Sequence, residues 1–320
     1  KNKMVNAPLQ GPYYTLTIEA LEEAEACSPA RIGALLLTSP SNPMGRVLTE
    51  EELEAAISFC RERNIHLYAD EIYGATAFAK SSTAARPFVS ARVVAERHSS
   101  EWAQTHLQVL WGLSKDLCAS GVRCGVLHTR DAELRQAVTA AMHFATCSSL
   151  VQHASAELLL DSDRVEDFFK LVAADLAAVS GLVCDRLQSE TQITCLKPEA
   201  GIFVWCDLSA LLLAGERESD LLAKLMDEAQ IVLTPGAACF ELNSCHARLC
   251  YASVPRDRLD DALDRIVAFA TRRQRQLTGT SQEEDSQAPL PPPRATQLPT
   301  LTWDDSGDSK DRMSELLRSW

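Results

Sequence analysis

No stretch of this sequence reaches the roughly 18–20 consecutive apolar residues of a membrane span, and no signal peptide opens it. Basic residues are in deficit: 31 Lys and Arg against 44 Asp and Glu leave a net charge of −13. That balance argues against nucleic acid and anionic membrane as partners. There is no C-x-x-C, and the eleven cysteines are odd in number and irregularly spaced. Most sit in apolar stretches, as Cys60 does in "AISFC" and Cys206 in "FVWC", which suits free thiols in a reducing, cytoplasmic compartment better than a disulfide framework. The cluster Cys239, Cys245, His246 and Cys250 has the spacing of no common metal site, so no metal is expected. Internal repeats are absent. The start, Lys1-Asn2-Lys3, has no initiator Met and reads as a processed or partial chain.

What is present is an alternation of strands and helices. At 320 residues and 46% apolar content, the chain is long enough for two globular domains. "IGALLLT" (32–38) is a continuous apolar run, as expected of a strand buried on both faces. Thr49 opens a helix with Glu52 three residues on, a capping box, and Leu53, Ala56, Ile57 and Cys60 follow on one face. "NIHLYAD" (64–70), "HLQVLWG" (106–112) and "VRCGVLHT" (122–129) read as further strands. This order predicts a mostly parallel α/β sheet, whose functional groups gather at the carboxyl ends of its strands. Asn42, Asp70 and Lys115 all fall there.

From about Ser148 the pattern changes to long helices up to 190. Strands at 201–208, 231–236 and 247–253 follow, with helices near 217–229 and 255–275. The expected division is a large domain over 1–147, helices and a small α/β domain over 148–276, and an acidic, Pro-rich tail over 277–320 that cannot form a core. Met313, Leu316, Leu317 and Trp320 share one face of a short helix at its end.

Lys115 closes the apolar run "LQVLWGLS", where an ammonium is poorly hydrated. Burying an unpaired ammonium is costly, and a lysine kept neutral is a nucleophile suited to a Schiff base. A surface lysine at a strand end is the plainer alternative. Each neighbouring motif also has one: Asn42-Pro43 as a turn, Asp70 as a strand-end cap, Tyr73 as a packing residue, Arg123 and Arg248 as surface ion pairs.

Taken in order, "SPSNPMG" (39–45), "DEIYG" (70–74), "SKDLCASGVR" (114–123) and "RLCYAS" (248–253) resemble the fold-type-I pyridoxal-phosphate enzymes of the class I/II aminotransferase family. "CSSLVQHASAELLLD" (147–161) and "LTPGAACFELNSCHARLCYAS" (233–253) narrow the resemblance to 1-aminocyclopropane-1-carboxylate (ACC) synthases and ACC-synthase-like proteins. It covers about residues 15 to 270. It implies the aspartate-aminotransferase-like fold, with an incomplete large domain and a small C-terminal domain, because the family's long segment before "SNP" is not seen here. Tyr13 and Tyr14 lie too close to that motif to be the family's ring-stacking aromatic.

The resemblance also implies a chemistry. Lys115 would form the internal aldimine with pyridoxal 5'-phosphate and then act as base at the substrate Cα. Asp70 would pair with the pyridinium nitrogen; Tyr73 and Asn42 would bond the ring's phenolic oxygen. Arg123, with Ser114, would hold the phosphate. Arg248 would grip the substrate α-carboxylate, with Asn42 nearby. Gly112 stands where the family usually carries a phosphate-binding serine. The implied activity is transamination of an amino acid or α,γ-elimination on S-adenosylmethionine, in a homodimer with sites at the subunit interface. A non-catalytic interaction protein working through the tail is the alternative.

Overall fold

The computed structural model describes residues 4–9, 11–80, 86–98, 100–241 and 245–279. The tail expected from 277 onward and the helix expected at Met313–Trp320 therefore lie almost wholly outside the described residues. The chain divides into two compact units: Lys1–Ala177 with Glu199–Gly201, and Ala178–Pro198 with Ile202–Trp320.

The first unit is built on a four-stranded sheet of β1 (Ala34–Thr38), β2 (His66–Asp70), β3 (Leu107–Gly112) and β4 (Gly125–His128), in that spatial order. The first three strands are parallel and β4 is antiparallel to β3. Helices provide the crossovers between the parallel strands. Between β3 and β4 there is only a one-turn helix and a 3₁₀ turn, so the chain returns beside the strand it has just left.

Four helices build the core of this unit. Thr17 caps α1 (Ile18–Ala26) through its side chain. The capping box of Thr49 and Glu52 starts α2 (Glu50–Arg63), and Asn64 ends it in a left-handed conformation at φ 51°. α3 (Ala91–His98) and α4 (Ser100–His106) follow. Leu21, Leu53, Ile57, Val94 and Ala103 from these helices pack with Leu37, Leu67, Ala69 and Leu107 of the sheet. All the strand residues in this cluster share one sheet face. On the opposite face Leu36, in register with Tyr68, is 60% exposed. The expectation that the 32–38 run is buried on both faces is thus corrected: α1 to α4 pack against the Leu35/Leu37 side alone, and strand alternation turns Leu36 away from them.

After β3 come α5 (Leu113–Asp116), α6 (Ala132–Ala141), α7 (Ser149–Leu160) and the long α8 (Ser162–Glu190). Neither α6 nor α7 contains a buried residue.

The second unit carries an antiparallel sheet ordered β5-β6-β8-β7: β5 (Thr194–Leu196), β6 (Phe203–Asp207), β7 (Thr234–Pro235) and β8 (His246–Cys250). The end of α8, α9 (Glu218–Ala229) and α10 (Arg256–Thr278) complete it. Leu187, Phe203, Leu221, Leu263 and Phe269 are fully buried there. Among the described residues no helix is long and apolar enough to cross a membrane.

Candidate functional site

The carboxyl ends of β1, β2 and β3 lie side by side. Thr38 is in register with Asp70, and Asp70 with Leu110. Asp70 ends β2; its carboxylate accepts the Ile72 amide at 3.2 Å and its carbonyl accepts the Ser39 amide at 3.0 Å. That second bond starts the loop carrying Asn42 next to Asp70. The loop is held by short-range bonds from Ser41 N to the Arg46 carbonyl (2.8 Å) and from Arg46 N to Ser41 Oγ (3.1 Å). Arg46 is anchored in turn by Glu52, with Nη1 and Nη2 on the two carboxylate oxygens at 2.9 and 2.6 Å. Burial raises the Glu52 pKa, but Arg46 and the amides of Thr49 and Leu16 outweigh it and hold this carboxyl below its usual range. Asn42 itself is exposed.

Beyond Asp70 the chain turns tightly, with the Gly74 amide on the Glu71 carbonyl and the Thr76 amide on the Tyr73 carbonyl. The turn buries Tyr73, which keeps 4% of its surface exposed. Lys115 Nζ stands 6.0 Å from the centroid of the Tyr73 ring. Lys115 and Ser114 are both half-buried on α5, and the Ala119 amide bonds the Leu113 carbonyl at 3.0 Å to close the turn behind them.

Gly112 precedes this turn, paired with Gly125 across the antiparallel strands. A Cβ at Gly112 would stand 3.1 Å from the Cys124 carbonyl oxygen and 3.2 Å from Ile72 Cδ1. Glycine there lets β4 approach the start of the lysine turn closely.

Arg123 follows the 3₁₀ turn Ser120–Val122 with φ 55°, and it is exposed. Its Nη1 donates to the Ser120 carbonyl at 2.9 Å. Arg248 belongs to the second unit, half-buried on β8, with Nη2 3.1 Å from Thr234 Oγ1 and Cζ 5.2 Å from the Phe203 ring centroid. The first unit therefore gathers Asp70, Tyr73, Ser114 and Lys115 at neighbouring strand ends. Asn42 and Arg123 stand on flanking loops of the same unit.

Three carboxylates that sequence reasoning passed over hold these loops. Asp116 has no exposed surface, and its Oδ2 accepts the Ala75 amide at 3.0 Å and the Trp111 indole N–H at 2.7 Å. It thus ties the lysine turn to the tyrosine turn. Glu71, 7% exposed, accepts from Ser90 Oγ (3.0 Å) and the Ala91 amide (2.8 Å) at the head of α3. Burial pushes its pKa up to about 7, with the neighbouring Asp70 charge adding to the rise against the pull of those two bonds. Glu199 accepts the Val47 amide through its carboxylate at 2.9 Å and the Phe78 amide through its carbonyl at 2.9 Å. The acids in "SKD" and "DEIY" were the available signals, though nothing in either motif points to backbone amides as partners.

A family model described as aminotransferase class I and II matches residues 5–266. The chain belongs to that family. Within the class I and II aminotransferases, it is 33% identical over 263 residues to a 1-aminocyclopropane-1-carboxylate synthase of Malus domestica, covering 78% of this chain and 53% of the relative. It is 30% identical over 286 residues to 1-aminocyclopropane-1-carboxylate synthase 6 of Arabidopsis thaliana, covering 87% and 54%. The chain spans about half the length of these curated relatives. Among solved structures, the aspartate aminotransferase of Rhizobium meliloti superposes with a TM-score of 0.69 at 25% identity, covering 81% of this chain and 62% of that one. The aromatic aminotransferase of Pyrococcus horikoshii OT3 gives a TM-score of 0.70 at 22% identity, covering 82% and 65%. The fold is that of the aminotransferases, and the family as a whole depends on pyridoxal phosphate.

Proposed function

We propose that this chain carries the pyridoxal-phosphate site of an amino-acid-transforming enzyme, with Lys115 as its reactive amine. The observation that carries this reading is the placement of Lys115 Nζ 6.0 Å from the Tyr73 ring, beside the strand end that bears Asp70. The donor set suits the cofactor: a carboxylate for its ring nitrogen, a phenol for its phenolic oxygen, an amine for its aldehyde and a guanidinium for its phosphate. Asp70 would hold the ring nitrogen's proton, Tyr73 and Asn42 would donate to the phenolic oxygen, and Arg123 with Ser114 would hold the phosphate. Bound pyridoxal phosphate supplies an electron sink for the charge left at a substrate Cα.

Lys115 moves the proton at that Cα, its amine serving as the base. The half-buried setting of Lys115 limits the water around its amine. Arg248 is the residue that the family resemblance assigns to the substrate α-carboxylate, a group that suits its guanidinium fork. The substrate is an α-amino acid or S-adenosylmethionine. The ACC synthase relatives favour the second, with α,γ-elimination as the reaction; the aminotransferase fold accommodates the first.

The test is absorbance of the purified chain with added pyridoxal phosphate, followed by borohydride reduction and peptide mass spectrometry. A phosphopyridoxyl group on Lys115, with spectral changes on adding amino acids or S-adenosylmethionine, is the expected result. Modification scattered over surface lysines, equal in Lys115→Ala, refutes the assignment. Binding through the tail that survives Lys115→Ala, with no cofactor retained, would favour an interaction protein instead.

A further inference from the structure

The head of β4 and the head of α7 meet at two cysteines. Cys147 Sγ donates to the Arg123 carbonyl at 3.6 Å, which sets this sulfur against the peptide that leads into Cys124. Gln152 Nε2 donates to the Cys147 carbonyl at 2.7 Å and fixes the turn that presents this sulfur. Both cysteines are half-buried, open enough for a small reagent to reach.

Beyond β4, which pairs with β3, the segment between them has little else to hold it. No residue of α6 is buried, and Phe144 beyond it is 98% exposed. On its other side Cys124 supports the candidate site: its carbonyl accepts the Leu113 amide at 3.2 Å, and it directly follows Arg123. A covalent bond at Cys124 would therefore join a weakly packed segment to the turn that bears Lys115.

We propose that Cys124 and Cys147 form a reversible disulfide, a redox latch that staples the α6 segment to β4. The oxidant is a low-molecular-weight disulfide, RSSR. One cysteine thiolate attacks a sulfur of RSSR, giving a protein mixed disulfide and one RSH. The second cysteine sulfur then attacks the protein sulfur of that bond, closing Cys124–Cys147 and expelling the second thiol, which takes up the proton the cysteine gives up. Two protein thiols are oxidised and RSSR is reduced to two RSH. Burial, followed by the Cys147 neighbour, pushes the Cys124 thiol up and lowers its thiolate fraction, so the first attack on RSSR falls to Cys147 and Cys124 reacts only once the mixed disulfide is held beside it.

The molecule contains its own comparison pair. Cys195 and Cys206 stand opposite each other on β5 and β6 with sulfurs 3.8 Å apart. Cys206 is 1% exposed, so an external disulfide has no access to it. Cys195 is half-buried, but its thiol is held above the ordinary range, so little thiolate is present there for the first attack and the pair stays reduced.

The experiment equilibrates the full chain with glutathione at rising ratios of oxidised to reduced form, blocks remaining thiols, and maps peptides without reduction. A Cys124–Cys147 linked peptide is expected, reversed by reductant. Limited proteolysis across residues 129–146 is expected to slow roughly a hundredfold in the oxidised chain, from loop closure. Neither change is expected in Cys124→Ser or Cys147→Ser. Glutathione on either cysteine without the link, a link with unchanged cleavage, or a Cys195–Cys206 peptide in its place each overturns the proposal. The wild-type mapping stands whether or not the variants fold.

Discussion

Replacing Glu71 by Gln is expected to stabilise the first unit at pH 8 and to change nothing below pH 4.5. The carboxyl is 7% exposed, and its pKa in the fold is about 7 against an ordinary value of 4.5. A raised carboxyl pKa means the fold prefers the protonated form. Its favourable contribution is therefore full below pH 4.5 and is lost as pH rises through 7. The difference of about 2.5 units corresponds to about 3 kcal/mol once the group is fully ionised. Glutamine keeps an oxygen to accept from Ser90 Oγ and the Ala91 amide, so the cap on α3 survives while the buried charge disappears. Hydrogen exchange of the β2 amides in wild type and Glu71→Gln, followed from pH 5 to pH 8 after correction for intrinsic exchange, measures the gain. The variant should become progressively more protected than wild type across that range. A gain of equal size at every pH, or a loss that grows with pH, would refute the burial argument. The charge would then be solvated or paired.

Four further substitutions probe the supports of the site and the sheet behind it. Arg46→Met leaves Glu52 buried without its guanidinium and is expected to cost about 3–5 kcal/mol, read as a lowered urea midpoint. Gly112→Ser adds a hydroxyl beside the lysine turn, but it forces a Cβ to within 3.1 Å of the Cys124 carbonyl. It should lower stability by about 1–3 kcal/mol, checked by thermal unfolding. Leu67→Ala, at a fully buried position, should cost about 2–5 kcal/mol, whereas Leu36→Ser on the open sheet face should stay within about 0.5 kcal/mol in the same assay.

The legible parts of this molecule are those whose cause is local in sequence. The capping box at Thr49 needs only four residues, and both of its reciprocal bonds are present. The runs "HLYAD" and "LQVLWG" became strands because apolar, β-favouring stretches between helices have few other solutions. β5 was missed because "TCL" is three residues long and exists only through its pairing with β6. The exposure of Leu36 escaped notice for a related reason: an apolar run records that a strand suits burial, not whether a neighbour covers each face. The ordered motifs, read through their family resemblance, brought out Asp70, Tyr73 and Lys115.

The supports of the site were hidden because their partners are main-chain groups far along the chain. Asp116 bonds the amide of Ala75, 41 residues earlier, and Glu199 bonds that of Val47, 152 residues earlier. Every residue except proline offers such an amide, so no side-chain pattern can mark the partner. The cost of leaving the fully buried Asp116 carboxylate unsatisfied nevertheless makes its bond decisive for where the loops sit. A carboxylate with no exposed surface, directly after Lys115, fixes the distance between two loops more tightly than contact between the exposed Asn42 or Arg123 and water could. The side chains proposed for chemistry therefore come from motif and order. What holds the loops beside them is a set of acids, Asp116 the most deeply buried, whose targets only the fold reveals.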